Sequence, residues 1–387
     1  MPRAADGKTL LPATDSPTMA TRRPPLYEVH EDRGAGFTDF GGWEMPVEFD
    51  SIRAEHTAVR EAAGIFDVSH MGEIRVEGPD AETLMQRLTT NDVASVGAGS
   101  AQYTCITDEA GIIQDDTMIY GLPDGGYLFI PNAGHDEEAE ERWVDYRDEH
   151  DLDAEVTNET EDWAMFAVQG PDAVGLAADA VESIGAPLTE ESDDLADLSR
   201  FTATEATLAG VDCLIARTGY TGEDGVEILC DTADAEAVWS AFDCQPCGLG
   251  SRDTLRMEQG LLLSGQDFDP EENPRTPYEA GISFTVDLDT EFVGRDALAA
   301  QKESGVEETF TGLAMIDRGV ARHGYEITHD GETVGEVTSG TMSPTLGEAI
   351  ALGYLPTELA EDGTEVDVVI RGEEKRAEVT TPPFIDK

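Results

Sequence analysis

EIRVEGPDAETLMQRL at 73–88 and MFAVQGPDAVGLAADA at 165–180 are one local device met twice. In each, an apolar strand-like run (Ile74 and Val76; Met165 to Val168) enters a Gly-Pro-Asp-Ala turn, and a helical pattern follows. Leu84 and Leu88 share a face of the first helix, and Asp80 stands where an N-cap acceptor belongs. Hairpin signals and a second amphipathic helix come after both copies, at 135–150 in the first and about 233–242 in the second. Within HDEEAEERWVDYRDEH, Ala139, Trp143 and Tyr146 recur at helical spacing, so its many acids form a solvated face. The matching order of elements predicts an internally duplicated α+β unit, with the pocket between its two halves.

Outward from this pair the character of the chain changes. Residues 1–25 are polar, contain prolines and lack periodicity, which predicts a flexible tail in which Met19 is an alternative start. The duplicated region is assigned to 26–270, a connection containing PEENPRTP to 271–305, and a small β-barrel to 306–387, where short Thr/Val-rich runs alternate with turns such as His329-Asp330-Gly331.

Composition narrows the function classes. The 387 residues carry 24 Lys+Arg against 82 Asp+Glu, a net charge of -58. Polyphosphates and anionic membranes are repelled by such a field, which argues against nucleic acid or membrane as partners. No apolar run approaches the roughly 18 residues of a membrane span, and no signal-peptide core opens the chain, so the expected location is cytoplasmic. Lysine occurs only at 8, 302, 375 and 387. A dispersed carboxylate coat of this density self-repels in dilute buffer and is screened at molar salt, the pattern of proteins from salt-accumulating organisms. Five cysteines, an odd number, fit reduced thiols, and Cys244-x-x-Cys247 lacks the second pair that zinc requires.

Candidate chemistry concentrates in two places. In GIIQDDTMIYGLPDGGYLFIPN (111–132) the turn Asp124-Gly125 pairs Pro123 with Gly126 and Thr117 with Asn132, which sets Asp115 on the face of Asn132 and turns Asp116 away. In RTGYTGEDGVEILC (217–230), Gly219, Gly222 and Gly225 allow close backbone approach around Tyr220 and Glu227, either as an ordinary hairpin or as a ligand site. GLGSRD at 248–253 lacks the rest of a dinucleotide fingerprint, no phosphate loop is present, and the seven histidines show no metal spacing, so neither a nucleotide cofactor nor a metal is expected. Each histidine reads as structural.

Several stretches together resemble the glycine cleavage T-protein family, the tetrahydrofolate-dependent aminomethyltransferases. They include LYEVHEDRGAGFTDFGGWEMPVEF (26–49), GIFDVSHMGEIRVEG (64–78), NDVASVGAGSAQYTCITDEAGIIQDD (91–116), ARTGYTGEDGVEI (216–228), PCGLGSRDTLRMEQGLLLSGQD (246–267) and GEVTSGTMSPTLGEAIALGYLP (335–356). The resemblance covers nearly the whole chain after residue 25 and implies three domains around a central folate. Carried over residue by residue, it puts the catalytic aspartate at Asp115 and folate contacts at Glu227 and Arg252, with Tyr220, Asn132, Tyr103 and Met71 as further pocket positions. The family's usual Gly-Gly before the catalytic loop is Gly111-Ile112 here, and where the family often has a further aromatic contact after its terminal Pro-Phe this sequence reads PPFIDK.

The implied reaction moves an aminomethyl carbon from the dihydrolipoyl arm of a partner, the H-protein, to tetrahydrofolate as co-substrate, with loss of ammonia. A carboxylate such as Glu227 suits the paired N–H donors of a pterin edge, and Asp115 suits the positive charge that develops on the transferred carbon. Rivals in the same superfamily are folate-binding accessory proteins of tRNA modification or iron-sulfur maintenance, whose K-G-C-Y-x-G-Q-E loop is RTGYTGEDGVE here, and folate-linked demethylases. A salt-tolerant scaffold is the rival outside it.

Overall fold

The computed structural model describes residues 21–185 and 194–385, so most of the expected tail and the last two residues of PPFIDK lie outside the described residues. The described chain begins with α1 (Tyr27–Asp32) and the hairpin β1 (Gly36–Phe40) and β2 (Trp43–Glu48). Next come α2 (Ile52–Glu61), capped by the Ser51 hydroxyl accepting from the Ala54 amide, and β3 (Gly64–Asp67).

The first copy of the repeat is β4 (Ile74–Glu77), α3 (Ala81–Leu88), β5 (Ala101–Thr107), β6 (Ile113–Gly121), β7 (Tyr127–Ile130), α4 (Asp136–Glu149) and β8 (Glu155–Asn158). The second is β9 (Trp163–Gln169), α5 (Ala173–Ala180), β10 (Val181–Ile184), β11 (Ala203–Leu208), β12 (Val211–Ala216), β13 (Gly225–Asp231), α6 (Ala235–Ser240) and β14 (Gln245–Cys247). Their sheets run β5-β6-β7-β4-β8 and β10-β11-β12-β13-β9-β3-β14. Apart from the edge strand β10, the second order is the first with β3 let in between β9 and β14. Direction agrees too: β8 is antiparallel to β4, and β14 is parallel to β3, itself antiparallel to β9. The repeated Gly-Pro-Asp-Ala turn therefore marks a repeated topology.

The turn's chemistry differs from expectation in one respect. Asp80 occupies the N-cap position but makes no capping bond, because its carboxylate accepts instead from the Asp153 amide at 2.8 Å and ties the turn to the approach of β8. Gly78 is required there. It sits at φ 111°, and a Cβ would come within 2.7 Å of the Asp153 carbonyl oxygen. Helix α4 behaves as its spacing predicts, with Ala139 and Trp143 buried, Tyr146 packed beside them and Trp143 stacked on Phe129 at 4.4 Å.

The 111–132 hairpin corrects the expected register by one residue. Met118 pairs with Ile130 and Tyr120 with Leu128, and the Leu122 and Gly126 backbones close a three-residue loop, Pro123-Asp124-Gly125. A one-residue slip exchanges the faces of a strand. Met118 and Tyr120 consequently lie with Leu128 and Ile130 in the core shared with the second half, while Ile119 and Phe129 face the core under α3 and α4. By the same alternation Asp116, not Asp115, belongs to the face of Met118 and Tyr103.

After α7 (Leu249–Gln259), which stops at Gly260 in the left-handed conformation, and α8 (Arg295–Ser304) in the connecting stretch, six strands close a barrel. They are β15 (Glu308–Met315), β16 (Tyr325–His329), β17 (Glu332–Met342), β18 (Ala349–Pro356), β19 (Glu365–Ile370) and β20 (Glu373–Thr380). Barrel and α7 meet through buried polar contacts. Glu258 accepts from Arg60 at 2.8 Å and from Thr345 at 2.8 Å, and is also bonded by Ser343. Arg256 pairs with Asp267, whose other oxygen accepts from Ser339 at 2.8 Å. All five cysteines are free thiols. The fold is mixed α+β, duplicated, with a closed C-terminal barrel.

Candidate active site

Two groups of polar side chains face each other across the seam between the halves. The first stands near the start of β6. Asp115, 5% exposed, accepts from the Asn132 side-chain amide at 2.7 Å and from the Asn132 backbone at 3.0 Å. The same amide nitrogen donates to Asp116 at 2.8 Å, and the Tyr103 hydroxyl donates to that carboxylate from the neighbouring strand. Asn132 reaches both acids because it lies two residues beyond the end of β7, where the chain is no longer held to one face. Burial first, and then the charge of Asp115, push the Asp116 carboxyl above the usual carboxylate range. Beside them His135 Nδ1 lies 3.1 Å from Asp115 and Ser264 Oγ lies 3.4 Å from it. Burial alone would lower His135, but the Asp115 charge and hydrogen bond outweigh it and raise the imidazole to about 9.

The second group comes from the 217–230 loop and the first turn of α7. On β13 Glu227 is flanked by two alanines, Ala216 and Ala167, on the strands either side, which leaves space over its carboxyl. Burial raises its pKa, and the Thr218 hydroxyl donates to it at 2.6 Å. The glycines act as close-approach positions, since a Cβ on Gly219 would fall 2.0 Å from the Gln169 side-chain oxygen. Tyr220 is held by a hydrogen bond from its hydroxyl to the Leu262 carbonyl, and the Arg252 guanidinium lies over its ring, 4.2 Å from the centroid. The Arg252 guanidinium donates no hydrogen bond to any described residue, although its backbone amide donates to the Gly248 carbonyl in the first turn of α7. Its pKa is lowered, first by burial.

A small cavity, with about 20 Å³ of space for water-sized molecules, lies beside this second group, lined by Phe40, Tyr220, Leu249, Arg252 and Leu263 among others. The groups are coupled electrically, because the Asp116 charge is among the influences that raise the Tyr220 phenol, behind the dominant effect of burial. They are also linked through Tyr120, whose hydroxyl lies 3.4 Å from Thr218. Of the positions chosen from sequence, Tyr103, Asp115 and Asn132 cluster in the first group, and Tyr220, Glu227 and Arg252 in the second. Met71 packs against the core between them and makes no polar contact in either. Sequence reasoning passed over His135, Ser264 and Thr218. Only Thr218, next to the glycine loop, carried a local signal; His135 and Ser264 approach Asp115 from 20 and 149 residues away. Among the described residues no set of three or more His, Cys, Asp or Glu is arranged to hold a metal ion.

Two family models match the chain: the GCVT N-terminal domain over residues 26–290 and the glycine cleavage T-protein C-terminal barrel domain over 309–386. A probable aminomethyltransferase of Natronomonas pharaonis is 63% identical over 369 residues, covering 95% of this chain and all (100%) of the relative. The aminomethyltransferase of Bacillus subtilis is 43% identical, covering 94% of this chain and 99% of its own length. In three dimensions the chain is similar to the crystal structure of the glycine cleavage system aminomethyltransferase T from Bartonella henselae, with a TM-score of 0.85 at 31% identity, over 94% of this chain and 98% of that one. With both halves and the barrel matched end to end, the chain belongs to the glycine cleavage T-protein family of aminomethyltransferases.

Proposed function

We propose that this aminomethyltransferase takes the aminomethyl carbon from the dihydrolipoyl arm of the H-protein and delivers it to tetrahydrofolate, giving 5,10-methylenetetrahydrofolate, ammonia and the reduced dithiol. The carbon–sulfur and carbon–nitrogen bonds of the aminomethyl group break, two carbon–nitrogen bonds to folate form as two folate N–H bonds are lost, and those two protons end on the sulfur and on the departing ammonia.

The observation that carries this reading is the half-buried Arg252 guanidinium, stacked on Tyr220 in the cavity wall with its donors unused by the described residues and with Glu227 close enough to influence its charge. A flat heterocycle that offers N–H donors to a carboxylate and accepts from a guanidinium matches that pair. Asp115, gripped by Asn132 and facing the His135 imidazolium, is the carboxylate that stabilises positive charge on the migrating carbon. Asp116, with its raised pKa, holds or releases a proton beside it. Tyr103 and Asn132 position the two acids.

No described helix is long and apolar enough to cross a membrane. We place the protein in the cytoplasm and read the net charge of -58 as adaptation to high salt. The deciding experiment is ammonia release with tetrahydrofolate and aminomethylated H-protein at molar KCl. Release only with both partners supports the assignment, and none above background sinks it.

A further inference from the structure

His70, in the turn between β3 and β4, is 1% exposed, and neither of its ring nitrogens has a hydrogen-bond partner. Burying an imidazole without partners is costly, and native proteins rarely keep such a group without a use for it. Burial, and after it the positive charge of Arg252, hold the ring well below the ordinary histidine range, so it is neutral and offers one donor and one acceptor. The Phe40 ring meets it edge-on, with 5.1 Å between centroids. Phe40 and Arg252 both line the small cavity beside Tyr220, and its roughly 20 Å³ of free space holds no more than about one water while the Phe40 ring is in place. Phe40 ends β1, and Gly41 and Gly42 follow it at φ 57° and 81°, so the ring stands at a bend whose backbone side-chain-bearing residues seldom adopt.

We propose that Phe40 is a gate over His70, and that a bound folate displaces the Phe40 ring and gives His70 the hydrogen-bond partner it lacks, making His70 a specificity-determining contact for the heterocycle. This rests on the folate reading above. The gate enlarges the cavity as it opens, and Arg252, sensed by both His70 and the Tyr220 ring, marks the side from which the ligand arrives.

The test uses the full chain with histidines labelled with nitrogen-15, titrated with tetrahydrofolate, and His70→Phe identifies the resonances. The expected result is a shift of the His70 ring nitrogens on saturation. Calorimetry should show a tetrahydrofolate Kd about tenfold weaker in His70→Phe, the loss expected for one hydrogen bond, partly restored in His70→Gln. Phe40→Ala should speed association in stopped flow. Saturable binding with the His70 resonances unmoved, or a wild-type Kd in a folded His70→Phe, overturns the contact. An unchanged association rate in Phe40→Ala overturns the gate. A wild-type protein that binds no tetrahydrofolate overturns the folate reading instead.

Discussion

The two halves of the molecule share a strand order and carry different polar groups at their seam. In the first, β6 carries adjacent acids near its start, Asp115 and Asp116, clasped by one asparagine; in the second, the polar groups sit not on the topologically equivalent β12 but on β13 and the loop before it. The insertion of β3 beside β9, together with the extra edge strand β10, widens the second sheet to seven strands, against five in the first. Duplication supplies a symmetric frame, and a seam between unlike halves can hold a reacting group on one wall and a recognition group on the other. The contrast predicts that substitutions on the first wall impair turnover and substitutions on the second impair binding.

The largest expected effect tests that division. Asp115→Asn should lower kcat by about 10²- to 10⁴-fold, the range for a lost charge-stabilising or proton-transfer group, with the tetrahydrofolate Kd nearly unchanged. Asp116→Asn should cost about tenfold at most; a reversed ranking in parallel steady-state assays would transfer the principal role to Asp116. Next in size, Glu227→Ala should weaken tetrahydrofolate binding by roughly 10- to 100-fold, as loss of hydrogen bonds to a charged group does, and leave kcat at saturating folate within a few-fold. A Glu227→Ala enzyme that binds folate normally but turns over slowly would break the comparison.

Salt separates the acids of the seam from those of the coat. Exposed charges are screened within about 3 Å at molar ionic strength, whereas buried pairs are screened much less. Differential scanning calorimetry should therefore show the thermal midpoint rising steeply from dilute buffer to 1 M KCl, equally in wild type, Asp115→Asn and Glu227→Ala. A flat or falling midpoint would remove the salt-adaptation reading of the coat.

The smallest effect is confined to the first wall. His135 is raised from an ordinary value of 6.5 to about 9 in the folded protein. The stability contributed by its protonated form is fully present below about pH 6.5 and is lost as pH rises through about 9. Between those limits the wild-type midpoint should fall more than that of His135→Gln. Parallel pH profiles would show that the imidazolium contributes nothing to holding Asp115.

Local sequence determined the elements whose causes are local. The Gly-Pro-Asp-Ala turns announced the duplication because a positive-φ glycine and close backbone packing are needed wherever the repeat makes that turn, and the Ala139/Trp143/Tyr146 spacing fixed the buried face of α4. The barrel was legible from closely spaced turns, and the candidate acids were chosen from family resemblance. Other features depended on contacts that no local pattern encodes. The hairpin register turned on a three-residue loop in place of two, a choice of backbone closure that a Pro-Asp-Gly-Gly sequence permits either way, and that choice decided which acid faces the second half. Asp80 exchanged its capping bond for the Asp153 amide because the approach to β8 passes within reach. His70 reads in sequence as one more core histidine; only the packing of Phe40 and the nearness of Arg252 expose it as a buried ring with nothing to bond, since an unmet hydrogen bond is a property of the surroundings and not of the residue.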